Sequence, residues 1–209
     1  MMMDKQADSL EGIAWVFFEP FMDVEKHLEL IGYIHKLGFY QWMYTNGTLC
    51  TRENLTQLAD VGLNELRFNL AATLCDAGVI RQVENAAALF PSVGIESPMF
   101  DRYFQAFREN RHAILDSGIG FINCAELHLH PGNLHHYAND ELYVYKYGYV
   151  SPVKSRHLTY DLMALAEAED WKNITIHDCS NQTKIYRGIL KRSDFGEVDY
   201  TSQQGLPPG

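Results

Sequence analysis

The chain has 209 residues, of which 46% are hydrophobic and 12% aromatic, and its formal net charge is −10 at pH 7. A chain of this length and composition can bury a sizeable core, which argues against disorder and favours one domain. The excess of negative charge, with no local cluster of Lys or Arg, makes nucleic acid a poor partner because phosphate backbones would be repelled.

Membrane insertion and secretion are also disfavoured. No apolar stretch approaches the ~18 residues of a membrane span, and residues 1–12 lack the apolar region of a signal peptide. The four cysteines are scattered, with no two close in sequence. We therefore expect a cytoplasmic protein whose cysteines are reduced and mostly buried.

Segments of strand character alternate with segments of helical periodicity along most of the chain. Strands are predicted at residues 12–18, 39–45, 65–71, 93–100, 119–130 and 173–179, and helices at 25–38, 51–62, 78–90, 102–118 and 156–168. Strands that are apolar on both faces and are separated by helices indicate a parallel sheet covered by helices. We predict an α/β fold, barrel-like or open, over residues 1–192, followed by a flexible polar tail at 193–209.

Ligands of such folds gather where the parallel strands end. Polar residues stand at several predicted strand ends: Glu19, Thr45, Asn46, Asn69, Glu96, Ser97 and the stretch 126–136. Arg67 and Asn69 are two residues apart and would share one face of their strand, where a parallel barrel would otherwise place aliphatic side chains. A ligand-lined upper layer and a satisfied helix contact both explain that pair.

The order of these parts resembles the radical S-adenosylmethionine (radical SAM) superfamily, from its second barrel strand onward. The first predicted strand ends in Glu19-Pro20, the second in Thr45-Asn46-Gly47, and Asn69 ends the third. In that family the second barrel strand ends in Gly-Gly-Glu-Pro, and the third commonly ends in Thr-Asn-Gly. The resemblance covers roughly residues 12–136.

The resemblance implies S-adenosylmethionine (SAM) and a [4Fe–4S] cluster as cofactors, with reductive cleavage of SAM to a 5′-deoxyadenosyl radical in full-length relatives. Glu19, with Pro20 beside it, would accept a hydrogen bond from the methionyl amino group, and Thr45, Asn46 and Asn69 would contact the rest of SAM. The side chains facing a small-molecule or peptide substrate would be Arg67, Glu96, Glu126 and His128.

Two departures from the family pattern are evident. Phe17 and Phe18 replace the two glycines before Glu19, and large side chains there would hinder close approach of a ligand to the backbone. The C-x-x-x-C-x-x-C motif that holds the cluster is absent. We thus expect a partial (β/α) barrel that lacks its first βα unit. The domain would be truncated, split from a partner chain or without a cluster, and it would be inactive alone.

A catalytically dead binding or interaction module is a second interpretation. The barrel edge left open by the missing strand would favour a protein partner or a dimer.

A third interpretation is a zinc- or iron-dependent hydrolase. Glu126, His128 and His130 are spaced by two and would share one strand face, as imidazole and carboxylate ligands of a metal do. His177 is a candidate for a further ligand. Histidines at a strand exit can equally hydrogen-bond to backbone or substrate.

Overall fold

The structure is a computed structural model that describes residues 12–144, 149–180 and 183. Its strands are β1 (Gly12–Trp15), β2 (Tyr40–Thr45), β3 (Glu65–Phe68), β4 (Ser92–Met99), β5 (Phe121–Glu126), β6 (Leu142–Val144), β7 (Val150–Pro152) and β8 (Thr175–Cys179). Its α-helices are α1 (Glu25–Lys36), α2 (Arg52–Asp60), α3 (Ala77–Ala87), α4 (Asp101–Asp116) and α5 (Val153–Ala168).

Six of the described strands form one parallel sheet in the order β1-β2-β3-β4-β5-β8, and β6 pairs with β7 in a separate antiparallel hairpin. Each parallel connection contains a helix, because a strand cannot return to the same end of a parallel sheet by a tight turn. The α/β partial-barrel prediction is confirmed by this alternation of helices with a mostly parallel sheet.

The sheet has two unlike faces. Because neighbouring strands follow chain order and crossovers are right-handed, the crossover helices all lie on one face. That helix face carries the apolar core, including the fully buried Met43, Leu66 and Ile95. We call the opposite face the inner face, and the pairing register shows which side chains lie on it. They are Trp42, Tyr44, Glu65, Arg67, Ser92, Gly94, Glu96, Phe121, Asn123 and His177.

Local sequence explains where helices begin. Thr51 starts α2 with a capping box, in which its hydroxyl accepts from Asn54 N and Asn54 Oδ1 accepts from Thr51 N. Asp76 starts α3, and its carboxylate accepts from the backbone N–H groups of Gly78 and Val79. Helix α2 therefore begins shortly after residues 45–47 of the candidate site, and helix α3 begins shortly after Asn69.

Three predicted strands are too long. The first ends at Trp15 and not at residue 18, and Val16 and Phe18 are exposed. The third ends at Phe68 and not at residue 71, because Leu70–Thr73 form a 3₁₀ helix, so Asn69 lies just beyond β3. The fifth ends at Glu126 and not at residue 130, because Asn133 bonds to the backbone of His128 and His130 and folds that segment into a loop. The β6–β7 hairpin was not predicted.

The predicted domain limit at residue 192 and the tail at 193–209 lie outside the described residues. None of the described helices combines the length and the apolar run that crossing a bilayer requires.

We expect Leu66→Ala to lower the free energy of unfolding by about 2–5 kcal/mol, since it leaves a cavity beneath the central strand β3. Leu66 is 0% exposed, whereas Leu30 on α1 is 49% exposed and provides a matched control. Leu30→Ala should change stability by less than about 0.5 kcal/mol. Urea unfolding followed by circular dichroism measures both values, and equal losses would contradict this assignment of the core.

Candidate cofactor site and inner face

A buried carboxylate joins the carboxyl ends of β1 and β2. Glu19 is 9% exposed. Its Oε1 accepts hydrogen bonds from Thr45 Oγ1 at 2.8 Å and Phe21 N at 3.2 Å, and its Oε2 accepts from Asn46 N at 2.8 Å. A carboxylate has about four lone-pair positions, so the protein satisfies three of them and Oε2 retains capacity for one further donor. These bonds offset the cost of burying the charge.

Pro20 and Gly47 shape the two segments that meet at Glu19. Pro20 opens a short 3₁₀ turn, Pro20–Met22, for which Glu19 is the N-cap. Gly47 has φ +78°, and a Cβ there would lie 2.6 Å from Val79 Cγ1. Only glycine fits this turn, because both the backbone conformation and the close approach of α3 exclude a side chain.

Phe17 and Phe18 stand at the positions of the two glycines of the family pattern. The ring of Phe17 stacks on His27 of α1, with 4.1 Å between ring centroids, and lies 6.0 Å from the ring of Trp15. Phe18 is fully exposed. The hydrogen bonds of Glu19 go to Phe21, Thr45 and Asn46 and involve neither ring, and hindrance of a ligand by the rings stays a prediction.

Asn69 extends the site to the end of β3. Its backbone N–H donates to Thr45 O at 2.8 Å, which places it beside the segment that holds Glu19. Its Oδ1 is buried and has no hydrogen-bond partner among the described residues. An unsatisfied buried acceptor costs about 1–3 kcal/mol, and a bound ligand with an N–H or O–H group would remove that cost. This orphaned atom fits a polar cofactor at the strand ends.

Arg67 organises the inner face one residue before β3 ends. Its Nε donates to Glu65 Oε1 at 2.5 Å, and its Nη1 donates to Glu96 Oε2 at 2.8 Å and to Tyr44 Oη at 3.3 Å. Its guanidinium carbon lies 5.2–5.5 Å from the ring centroids of Trp42, Tyr44 and Phe121. Cation–π attraction and two carboxylates thus fix the guanidinium in place.

The charges of this cluster perturb neighbouring groups. Burial alone would lower the pKa of Arg67, but its bonds to Glu65 and Glu96 outweigh burial and raise that pKa above its usual value. Burial and the nearby charge of Glu96 raise the pKa of Tyr44. Burial and the hydrogen bond to Glu65 raise the pKa of Tyr40 to about 12. The two tyrosines are therefore neutral hydrogen-bonding groups at physiological pH.

The structure does not bring Glu126 together with Arg67 and Glu96, which were predicted to face the substrate with it. Glu126 shares the helix face of β5 with Ile122 and Cys124 by strand alternation. Its Oε1 accepts from Arg156 Nε at 2.9 Å and Nη2 at 2.7 Å, which ties β5 to α5.

The three residues of the alternative metal site are not brought together. His128 is exposed and stacks on Tyr149, with 4.8 Å between centroids, while His130 Nδ1 accepts from Gly132 N in the loop. Glu126 is bonded to Arg156. Within the described residues there is no group of three His, Cys, Asp or Glu side chains arranged to hold a metal.

Sequence reasoning missed Asn123 and Arg156. Asn123 Nδ2 donates to Glu96 Oε2 at 3.0 Å on the inner face, and its register with Glu96 on the adjacent strand could have identified it. Arg156 lies in the first turn of α5, 30 residues beyond Glu126, and no local pattern signals that pair.

We expect Thr45→Val to destabilise the protein by about 1–3 kcal/mol, because Glu19 Oε1 and Gly47 N would each lose a buried partner. Thr45 Oγ1 donates to Glu19 and accepts from Gly47 N at 3.0 Å. Thr48 is exposed and bonds only to Asn46 of its own turn, so Thr48→Val is the matched control. Chemical denaturation compares them, and equal stability of both variants would contradict a structural role for the Glu19–Thr45 contact.

Comparisons with known proteins identify similar folds. No protein-family model and no curated protein sequence matches the chain. Among solved structures, a domain of pyruvate-formate lyase-activating enzyme from Bacteroides vulgatus superposes with a TM-score of 0.54 and 14% identity, covering 79% of this chain and 98% of that one.

Two structures of Streptococcus suis SuiB are also similar at 11% identity. The complex with precursor peptide SuiA gives a TM-score of 0.57 over 85% of this chain, and the complex with S-adenosylmethionine gives 0.55 over 80%. The chain spans only 41% and 40% of these SuiB chains. The likeness in each case is one of fold, and the chain therefore shares the α/β partial-barrel fold of these solved structures.

Proposed function

We propose that this chain is a radical SAM-type domain that binds SAM across the carboxyl ends of β1, β2 and β3. The observation that carries the proposal is the buried Asn69 Oδ1, which has no protein partner among the described residues. The backbone N–H of Asn69 donates to Thr45 O, which places Asn69 next to the Glu19–Thr45 contact. The fold of a SAM-bound SuiB structure supports the choice of ligand.

In this proposal each residue at the strand ends has a separate role. Glu19 Oε2 uses its remaining acceptor position for the methionyl ammonium, while its other bonds hold the carboxylate rigid. Thr45 and Pro20 keep the Glu19 carboxylate in place. Asn46 offers its side-chain amide to the carboxylate or ribose of SAM, and Asn69 Oδ1 accepts from a ribose hydroxyl. With one electron from a reduced [4Fe–4S] cluster held by another polypeptide segment, bound SAM would be cleaved to methionine and a 5′-deoxyadenosyl radical, which would abstract a hydrogen atom from a substrate.

The cysteines of this chain do not fit a [4Fe–4S] cluster. Cys50, Cys75 and Cys124 are buried, and burial raises the pKa of each thiol to about 12. Cluster ligands are thiolates, and no three of the described cysteines form a group that could hold a metal. We propose that the chain by itself holds no cluster and does not cleave SAM reductively, so that thiolates from another polypeptide segment would be required.

A binding or interaction module is the second candidate function, and the same cysteine environment favours it. Such a module would retain the residues proposed to bind SAM, Glu19, Thr45 and Asn69, but would not carry out radical chemistry. A small molecule or a peptide is the proposed substrate or ligand class, in keeping with the peptide bound to SuiB. A dimer or protein partner at the β1 edge, cytoplasmic location and lack of nucleic-acid binding stay predictions.

We expect the full chain to bind SAM, and Asn69→Ala to weaken binding by about tenfold or more through loss of one buried polar contact. The same substitution should leave the free energy of unfolding unchanged or raise it, because the protein makes no hydrogen bond to Oδ1. Isothermal titration calorimetry and urea unfolding measure the two effects.

Asn85→Ala on α3 is the control, since Asn85 bonds only to Gln82 on the same helix. No SAM binding by the unaltered chain would overturn the proposed function. Destabilisation of Asn69→Ala with unchanged affinity would assign Asn69 a structural role instead.

We further expect anaerobic reconstitution with iron and sulfide to yield no stoichiometric cluster. A thiol whose pKa is about 12 is protonated at pH 8, so a disulfide reagent should react with at most one cysteine of the native chain and with four in urea. Absorbance near the iron–sulfur band and the thiol count measure this. A reconstituted cluster with four irons per chain would refute the cluster-less proposal.

A further inference from the structure

We propose that the inner face binds a primary ammonium group of the substrate, at Glu96, Asn123 and His177. The inference depends on the proposed function only for the role of the ligand as substrate of radical chemistry. The binding site itself follows from charges and hydrogen bonds that the cofactor residues do not share.

The formal charges of the cluster do not balance. Glu65 accepts three hydrogen bonds within the protein, from Arg67 Nε to Oε1 at 2.5 Å, and from Tyr40 Oη at 2.7 Å and Ser92 Oγ at 3.0 Å to Oε2. Glu65 is 6% exposed and forms the close counterion of Arg67. Glu96 is then a second carboxylate against one guanidinium, which leaves one negative charge on a half-buried surface. A cationic ligand group would neutralise it.

The surplus carboxylate presents an open oxygen. Glu96 Oε2 accepts from both Arg67 Nη1 at 2.8 Å and Asn123 Nδ2 at 3.0 Å, whereas Oε1 accepts from no described residue. The side chain of Glu96 is 20% exposed, so part of it is open to solvent and to a ligand. The oxygen nearest Arg67 is therefore used by the protein, and the other is available to a donor.

Asn123 and His177 add possible hydrogen-bond acceptors at the same level of the sheet as Glu96. Asn123 must direct its Nδ2 group at Glu96, since a carboxylate only accepts, and its Oδ1 then points elsewhere and accepts from no described residue. His177 pairs with Asn123 in the strand register, and its ring contacts Phe121 edge-on at 6.5 Å between centroids. No described residue hydrogen-bonds to the imidazole of His177, so a ring nitrogen can accept a proton donor.

This pattern suits an ammonium group better than a carboxylate. An ammonium has three donors and no acceptor, which matches a site of acceptors with one surplus negative charge. A carboxylate would need Arg67, but that guanidinium already serves two carboxylates and three aromatic rings. The side chain of Glu96 would also repel it.

The test is a titration of the ¹⁵N-labelled full chain, followed by the nuclear magnetic resonance signals of the Asn123 side-chain amide and the His177 ring. The probes are butylammonium chloride and, as a matched anion, sodium butyrate, at constant ionic strength. We expect saturable shifts of both signals with butylammonium and none with butyrate. Saturable binding of butyrate alone, or shifts with neither probe, would overturn the inference.

Glu96→Gln should weaken butylammonium binding by about tenfold or more, because a charge-assisted hydrogen bond becomes a neutral one. The glutamine carbonyl can still accept from Arg67, which preserves the cluster. Glu84→Gln makes the same charge change on the exposed surface of α3 and should leave affinity unchanged. Equal affinity of the two variants would overturn the assignment of Glu96.

A lysine side chain of a peptide and a small amine share this chemistry, and Nα-acetyl-lysine N-methylamide distinguishes them. Tighter binding than butylammonium would support a peptide, and equal binding would support a small amine. Because no SAM is present, ammonium binding that depends on Glu96 would stand even if calorimetry showed no SAM binding. SAM binding without any ammonium binding would support the proposed function and refute only the ammonium site.

Discussion

The carboxylate of Glu19 is the contact on which the candidate cofactor site depends. It is a buried charge at the point where β1 ends, and three hydrogen bonds from Phe21, Thr45 and Asn46 satisfy it. Those bonds fix the direction of the chain after β1 and the conformation of the turn after β2. Asn69 is then placed by its backbone bond to Thr45 O, so the ends of three strands are positioned through one carboxyl group.

The second constraint is the order of the strands. Because β1 to β5 are neighbours in chain order, the crossover helices cover one face and leave the inner face to polar and aromatic side chains. Arg67 and Glu96 then lie partly buried, and Asn123 buried, without a helix above them. Alternation along β5 sends Glu126 to the helix face, where Arg156 pairs with its charge.

The element order and the parallel sheet could be predicted from sequence, because strand and helix periodicities alternate clearly and turn residues such as Gly47 and Gly62 mark the ends. The strand-end position of Glu19, Thr45 and Asn69 followed from that pattern. Strand lengths were harder, because WVFF and ELHLH have apolar and alternating residues that continue a strand pattern. In the structure, the local bonds of Glu19 and Asn133 end those strands sooner.

Partners at long sequence separation were beyond sequence reasoning. The bond between Arg67 and Glu96 joins residues 29 apart, and that between Arg156 and Glu126 joins residues 30 apart. Which charge lies opposite which is set by strand register and by where a helix begins. His128 and Glu126 looked equivalent on a continuous strand, and the end of β5 at Glu126 separated them.

The four-residue length of β1 has a consequence for local stability. β1 is the terminal strand of the described sheet and pairs only with β2, over Gly12–Trp15. A short strand with one neighbour opens at lower free energy than the central strands, which gives its amides fast hydrogen exchange. Under the proposed function, binding of SAM beside Glu19 would oppose this opening, so that SAM binding and the pairing of β1 with β2 would be thermodynamically coupled.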